Sequence, residues 1–176
     1  MEVGGGGVTQ ISQQGIEFIT QYENFEPHGY EDVSGNCTIG YGELLHLGPC
    51  TQSERERTVT RQESLAFVRV TAQGFVNSIA SALSRSLLQY QLDALASFSY
   101  TLGTGWLTED VPLRQYIETG DSSAVAERIK LYNKSRKWET GELNYVQGLQ
   151  NRRCEEADLF TKDDYFVSFA YCPRAD

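Results

Sequence analysis

The sequence predicts an α+β, mostly helical fold, and three observations carry that expectation. Apolar residues recur at steps of three and four over most of the chain. One short segment around residue 35 switches to strands about a turn, and a long helical run from about residue 60 to 83 follows it. A chain of 176 residues fits one compact unit, or two lobes sharing a core, with a sizeable interior.

The elements follow in order. Residues 1–10, with four glycines in "MEVGGGGV", read as a flexible tail or linker, since a phosphate-binding loop would need a strand ahead of the glycines. In "SQQGIEFITQYENF", Ser12 is a candidate N-cap, and Ile16, Ile19 and Glu23 share one helical face. A carboxyl on the apolar side of a helix is unusual and asks for a reason. "DVSGNCT" places a Ser-Gly-Asn turn between short runs, predicting a hairpin centred on Gly35 in which Asp32 faces Thr38 and Val33 faces Cys37. Tyr41 is expected in the strand that bears Thr38. The run "TRQESLAFVRVTAQGFVNSIASAL" repeats Leu65, Val68, Ala72, Phe75 and Ile79 at helical spacing and is long enough to connect two lobes. Beyond it, helical runs are broken at "GTG", "TGD" and "ETGE", and the basic "KSRKW" (134–138) reads as a solvated helix end. The aromatic-rich tail, 161–176, is expected to pack on the body.

Composition removes several function classes. The formal charge of −9 excludes a nucleic-acid partner, which needs clustered Lys and Arg, and strong adhesion to an anionic membrane. No run approaches the roughly 20 apolar residues of a membrane span, and the N-terminus has no signal-peptide pattern. Cysteines 37, 50, 154 and 172 form no CxxC, and with two histidines in the chain neither a metal site nor any other cofactor is expected. Two readings stand for them: buried free thiols, or two disulfides, for which Cys37–Cys50 and Cys154–Cys172 give the shorter loops.

Glu23, Asp32 and Thr38 together suit glycosidic bond hydrolysis. A carboxyl sheltered on an apolar face is easier to keep protonated, as a general acid must be, while a carboxylate in a polar turn stays ionised and steers a water. A hydroxyl opposite that carboxylate holds the same water. Solvated surface carboxylates and a strand-forming threonine are the bland alternative.

At these positions the chain resembles the phage-type lysozymes, the endolysin muramidases of glycoside hydrolase family 24. Glu23, Asp32, Thr38 and "TIGYG" fit the family's Glu-(eight)-Asp/Cys-(five)-Thr pattern; "QLDALASFSYTLGTG" (91–105) and "GLQNRRCEEADLF" (148–160) resemble its two later motifs. The resemblance implies a lysozyme-like two-lobed fold: a small lobe with a β-hairpin sheet over about 11–60, a connecting helix over 60–83 and a helical lobe over 84–160. It implies cleavage of the β-1,4 bond between N-acetylmuramic acid and N-acetylglucosamine of bacterial peptidoglycan. Glu23 would be the acid and Asp32 and Thr38 the water-handling pair, with inversion and carboxyls about 6.5–9.5 Å apart. It also implies an arginine beside the acid; Arg152 matches best, Arg153 nearly as well.

Two positions depart from the family pattern: Glu43 stands where histidine is common, and Thr101 replaces an amide expected to contact sugar or backbone. Tyr41, Thr101 and Arg152 are the candidate substrate-side residues, and Tyr30, Tyr100, Trp106 and Trp138 offer further flat faces for sugar rings, against ordinary packing. His28 and His46 match no catalytic position. The expected molecule is a monomer acting in the periplasm or cell wall, released by a holin or a secretion machine. It is either a phage endolysin or an antibacterial effector domain, the latter with an inhibitory immunity protein. The alternatives are a lytic transglycosylase and a non-catalytic wall-binding module.

Overall fold

Ser12 starts the first helix as an N-cap should: its side chain accepts from the Gly15 N–H and donates to the buried Asp93. The computed structural model describes residues 8–176, so the glycine run of the expected linker lies outside the described residues. Of the rest of that segment, Thr9 and Gln10 are tied by their carbonyls to Gln73 and Gln89. Helix α1 (Gln13–Tyr22) buries Ile16, Phe18 and Ile19 and stops one residue before Glu23. Glu23 is therefore not on the helical face that its spacing predicts; its backbone is extended, with φ −97° and ψ 111°.

Strands β1 (Glu26–Glu31), β2 (Cys37–Gly40) and β3 (Glu43–His46) form an antiparallel sheet in that order. The register pairs Tyr30 with Thr38 and Glu31 with Cys37. This corrects the hairpin centre from Gly35 to Ser34. Asp32 does not face Thr38; it opens the turn. The physical reason is an Asx-type turn, in which Asp32 Oδ1 accepts from the N–H groups of Ser34 (2.8 Å) and Asn36 (3.0 Å) and closes the loop one residue earlier. Tyr41 is also displaced, falling after β2 in the turn to β3.

Short helix α2 (Gln52–Glu56) is followed by α3 (Arg61–Ala82), each opened by a Thr/Glu capping box, Thr51/Glu54 and Thr60/Glu63. The 22 residues of α3 reach about 33 Å and bury Ser64, Val68, Ala72, Val76 and Ile79. Val76, not Phe75, completes the buried stripe. Helix α4 (Gln89–Leu102) is central, with eight consecutive residues from Leu92 to Ser99 buried. Around it lie α5 (Trp106–Glu109), α6 (Val111–Thr119), α7 (Ser122–Lys130) and α8 (Gln147–Lys162). Between α7 and α8, β4 (Lys134–Arg136) and β5 (Leu143–Tyr145) form a second hairpin, so "KSRKW" is not a helix end.

The main core joins α3 to α8 through Val76, Leu95, Phe98, Leu113, Ile129, Leu159 and Phe160. A smaller cluster, Ile16, Ile19, Val68 and Ala72, joins α1 to α3, with Ile11, Tyr41, Leu65 and Tyr100 packed against it. Helix α1 feeds both, because Phe18 points into the first and Ile16 and Ile19 into the second. The cysteines are paired as Cys37–Cys50 and Cys154–Cys172, which removes the free-thiol alternative. Among the described residues no helix is long and apolar enough to cross a membrane.

Candidate active site

Glu23 is delivered to the interior by the end of α1. Its side chain is 20 % exposed, and Oε1 accepts from Arg152 Nη1 at 2.6 Å. Arg152, on α8, is buried: Nε donates to Glu156 Oε1 at 3.0 Å, Nη2 reaches Ser97 Oγ at 3.3 Å, and the guanidinium lies 4.9 Å over the Tyr22 ring. Burial works against its charge, but Glu23 and Glu156 outweigh that and hold its pKa above the ordinary arginine value. Arg153 takes a different course. It is fully buried, donates to Glu156 Oε1 (3.1 Å) and Thr101 Oγ1 (2.9 Å), and lies over Phe98. Burial brings its pKa down to about 10. Two arginines and two glutamates thus form one linked group, with Ser97 Oγ donating to Glu156 at 2.7 Å.

The other carboxylate sits in the β1–β2 turn. The hydrogen bonds of the Asp32 side chain fall on Oδ1. The second hairpin braces this turn: Trp138 N–H donates to Ser34 O at 2.7 Å, Ser135 and Ser34 hydroxyls meet, and the Lys137 ammonium reaches Val33 O. The Trp138 ring lies against Gly48, where any Cβ would come within 2.9 Å of it. Thr38 is buried at 4 % exposure, and its hydroxyl donates to Asn36 O at 3.2 Å.

Tyr30 connects the three positions. Its pKa is pushed up to about 12, by burial first and then by the negative charges of Glu23 and Asp32. The phenol therefore lies in the field of both carboxylates, and its backbone is the register partner of Thr38. Gly42 borders the other oxygen of Glu23. A Cβ on Gly42 would stand 2.8 Å from Glu23 Oε2. Tyr100 borders the same carboxyl; burial first, and then the Glu23 charge, raise its pKa.

Of the substrate-side candidates, Arg152 meets Glu23 directly, whereas Thr101 spends its hydroxyl internally, accepting from Arg153 and donating to Phe98 O at 3.1 Å. Tyr41 packs on Phe25 with ring centroids 5.2 Å apart; its carbonyl accepts from Tyr100 OH at 2.7 Å. Sequence reasoning missed Glu156, Ser97, Gly42 and Tyr22 as neighbours of the acid. The signals for three of them lay within the quoted motifs, in "ALAS", "GYG" and "RRCEE".

Comparison with known proteins places this arrangement in a lineage. Residues 20–156 match the family described as phage lysozyme. The chain is 35 % identical over 153 residues to the endolysin of Bacillus phage PZA, a match that covers 86 % of this chain and 55 % of that endolysin. The chain thus spans about half of that relative's length. Among solved structures, an endolysin from Escherichia coli O157:H7 phage FAHEc1 superposes with a TM-score of 0.77 at 26 % identity, covering 90 % of this chain and 97 % of that one. The muramidase domain of SpmX from Asticaccaulis excentricus shares the fold, with a TM-score of 0.70 at 22 % identity, over 87 % of this chain and 98 % of that one.

Proposed function

The chain belongs to the phage lysozyme family, and on that premise we propose that it hydrolyses the β-1,4 bond between N-acetylmuramic acid and N-acetylglucosamine in peptidoglycan. The observation that carries the reading is the asymmetry of the Glu23 carboxyl. Arg152 donates to Oε1, which leaves Oε2 as the oxygen able to hold a proton, and Oε2 faces the bare Cα of Gly42. A leaving-group oxygen can approach there, and Glu23 acts as its general acid. Asp32, with its turn bonds on Oδ1, offers Oδ2 to a water, which Thr38 helps to place; attack from the opposite side gives inversion. Arg152 fixes the carboxyl and touches sugar only through it.

The division into a small lobe, a connecting helix and a helical lobe belongs to the same proposal. So do monomeric action at the cell wall after release through a holin or secretion machine, and an inhibitor protein in the producing cell if the chain is an effector. The primary test is Glu23→Gln on purified peptidoglycan, expected to cut turnover by about 10²–10⁴-fold. Undiminished turnover would remove Glu23 from the role. Mass spectrometry of the products separates the reaction types: reducing ends support hydrolysis, and anhydro-muramic ends would replace it with a transglycosylase.

A further inference from the structure

The family match ends at residue 156, yet the chain continues through the end of α8 into an extended segment, 163–176, that is bound to the body along its length. Cys172 is joined to Cys154, Tyr165 OH donates to Asp93 at 2.6 Å, and Ala175 N–H donates to Gln150 at 3.0 Å. Midway, the segment makes a tight bend on one carboxylate. Glu155 Oε1 accepts from Ser168 N–H (2.7 Å), Ser168 Oγ (2.6 Å) and Phe169 N–H (3.1 Å). Its other oxygen accepts from the hydroxyl of Tyr22. Phe169 also meets the Tyr22 ring edge to face at 5.6 Å, and the same Tyr22 ring also carries Phe18, edge to face at 5.4 Å, and the Arg152 guanidinium, 4.9 Å from its centroid.

The backbone at Phe169 makes the bend more than incidental. Its φ is +56°, a left-handed conformation that bulky residues rarely adopt and that persists only where surrounding contacts enforce it. Here the enforcing contacts are the bonds to Glu155 and the ring against Tyr22.

We propose that the 163–176 segment is a positioning device for the acid: through Ser168 and Phe169 it locks Glu155 and Tyr22, and Tyr22 in turn seats Arg152 against Glu23. These four are positioning residues that touch no substrate. The consequence for turnover rests on the proposed muramidase reaction; the consequence for Arg152 does not. Removing the Phe169 ring takes away one of the two aromatic contacts of Tyr22, leaving Phe18, and loosens the ring under the guanidinium, so Arg152 holds the acid less firmly while the sugar-binding surface is untouched.

The test compares the parent chain with Phe169→Ala and Phe169→Tyr. Two readouts are taken at a temperature where thermal melts show all three folded. One is solvent exchange of the Arg152 Nε proton by NMR; the other is kcat and KM on soluble peptidoglycan oligosaccharides. In Phe169→Ala the exchange is expected to be about tenfold faster and kcat about tenfold lower with KM within about twofold, and Phe169→Tyr should restore both. Parent-like exchange and kcat in Phe169→Ala would overturn the proposal, as would a loss confined to KM. If Phe169→Ala does not fold, Ser168→Ala removes one donor from Glu155 and is judged by the same two readouts. A parent chain that leaves peptidoglycan uncut would sink the proposed reaction, while Arg152 exchange would still decide the role of the segment.

Discussion

Gly42 is the residue on which the shape of the acid's surroundings turns. Its φ of +79° disfavours a side chain, and the nearest atom to an added Cβ would be Oε2 of Glu23. Gly42→Ala is therefore expected to lose about 1–2 kcal/mol of stability from the left-handed backbone. It should also cut turnover by about tenfold or more, because the carboxyl must shift away from its fixed position. Thermal melts and turnover on peptidoglycan, measured side by side, check both; an alanine variant with full turnover would show that the approach to Oε2 is not through Gly42. At this scale the sequence singled out Glu23 as a candidate but not the groups around it. The apolar spacing that drew attention to Glu23 does not put it on a helical face, since α1 ends at Tyr22. Glu156 and Ser97 were not legible, because Ser97 meets Arg152 and Glu156 across 55 and 59 positions of chain, and Glu156 meets Arg152 across one turn of a helix also carrying Arg153.

Between elements, the legible features were those with local chemistry. Thr60 with Glu63 announces the start of α3, and the observed helix begins at Arg61. The second hairpin was not legible: β4 and β5 have three residues each, too few for alternation to register, and their partner is the β1–β2 turn a hundred residues away. The sheet is also tied to α2, where His46 Nε2 meets Glu54 at 2.9 Å and Nδ1 meets Leu47 O at 2.9 Å. Both ring nitrogens face acceptors, so the imidazolium is favoured; the Leu47 carbonyl first and then Glu54 raise the His46 pKa above 6.5. The bond from His46 leads the causes that lower Glu54 from 4.5 to about 2. The histidine contribution is complete below pH 6.5 and fades as pH rises through its folded value; the Glu54 contribution is complete above pH 4.5 and fades as pH falls towards 2. His46→Asn should thus melt below the parent by a larger margin at about pH 5.5 than at about pH 9. Equal margins would mean that the contact is not ionic.

Over the whole molecule, the charge of −9 acts on every approach to an anionic wall. Repulsion between exposed charges acts through solvent and should be screened. Raising salt from about 0.01 to 0.15 M shortens the Debye length from roughly 30 to 8 Å, and clearing of wall suspensions is expected to quicken over that range. Clearing that slows instead would reveal a cationic docking surface. The mostly helical architecture with a small antiparallel sheet was legible because it follows from periodicity and from one long capped helix. The closure of the site by α8 was not, since no local pattern says which of two adjacent arginines turns towards residue 23. That closure has a temporal side. Glu23 leaves the ribosome before the guanidinium that fixes it, which follows 129 positions later. At about 5–20 residues per second, roughly 6–26 s of translation separate the two groups. A nascent chain stalled or truncated in that interval carries its acid without the means to aim it.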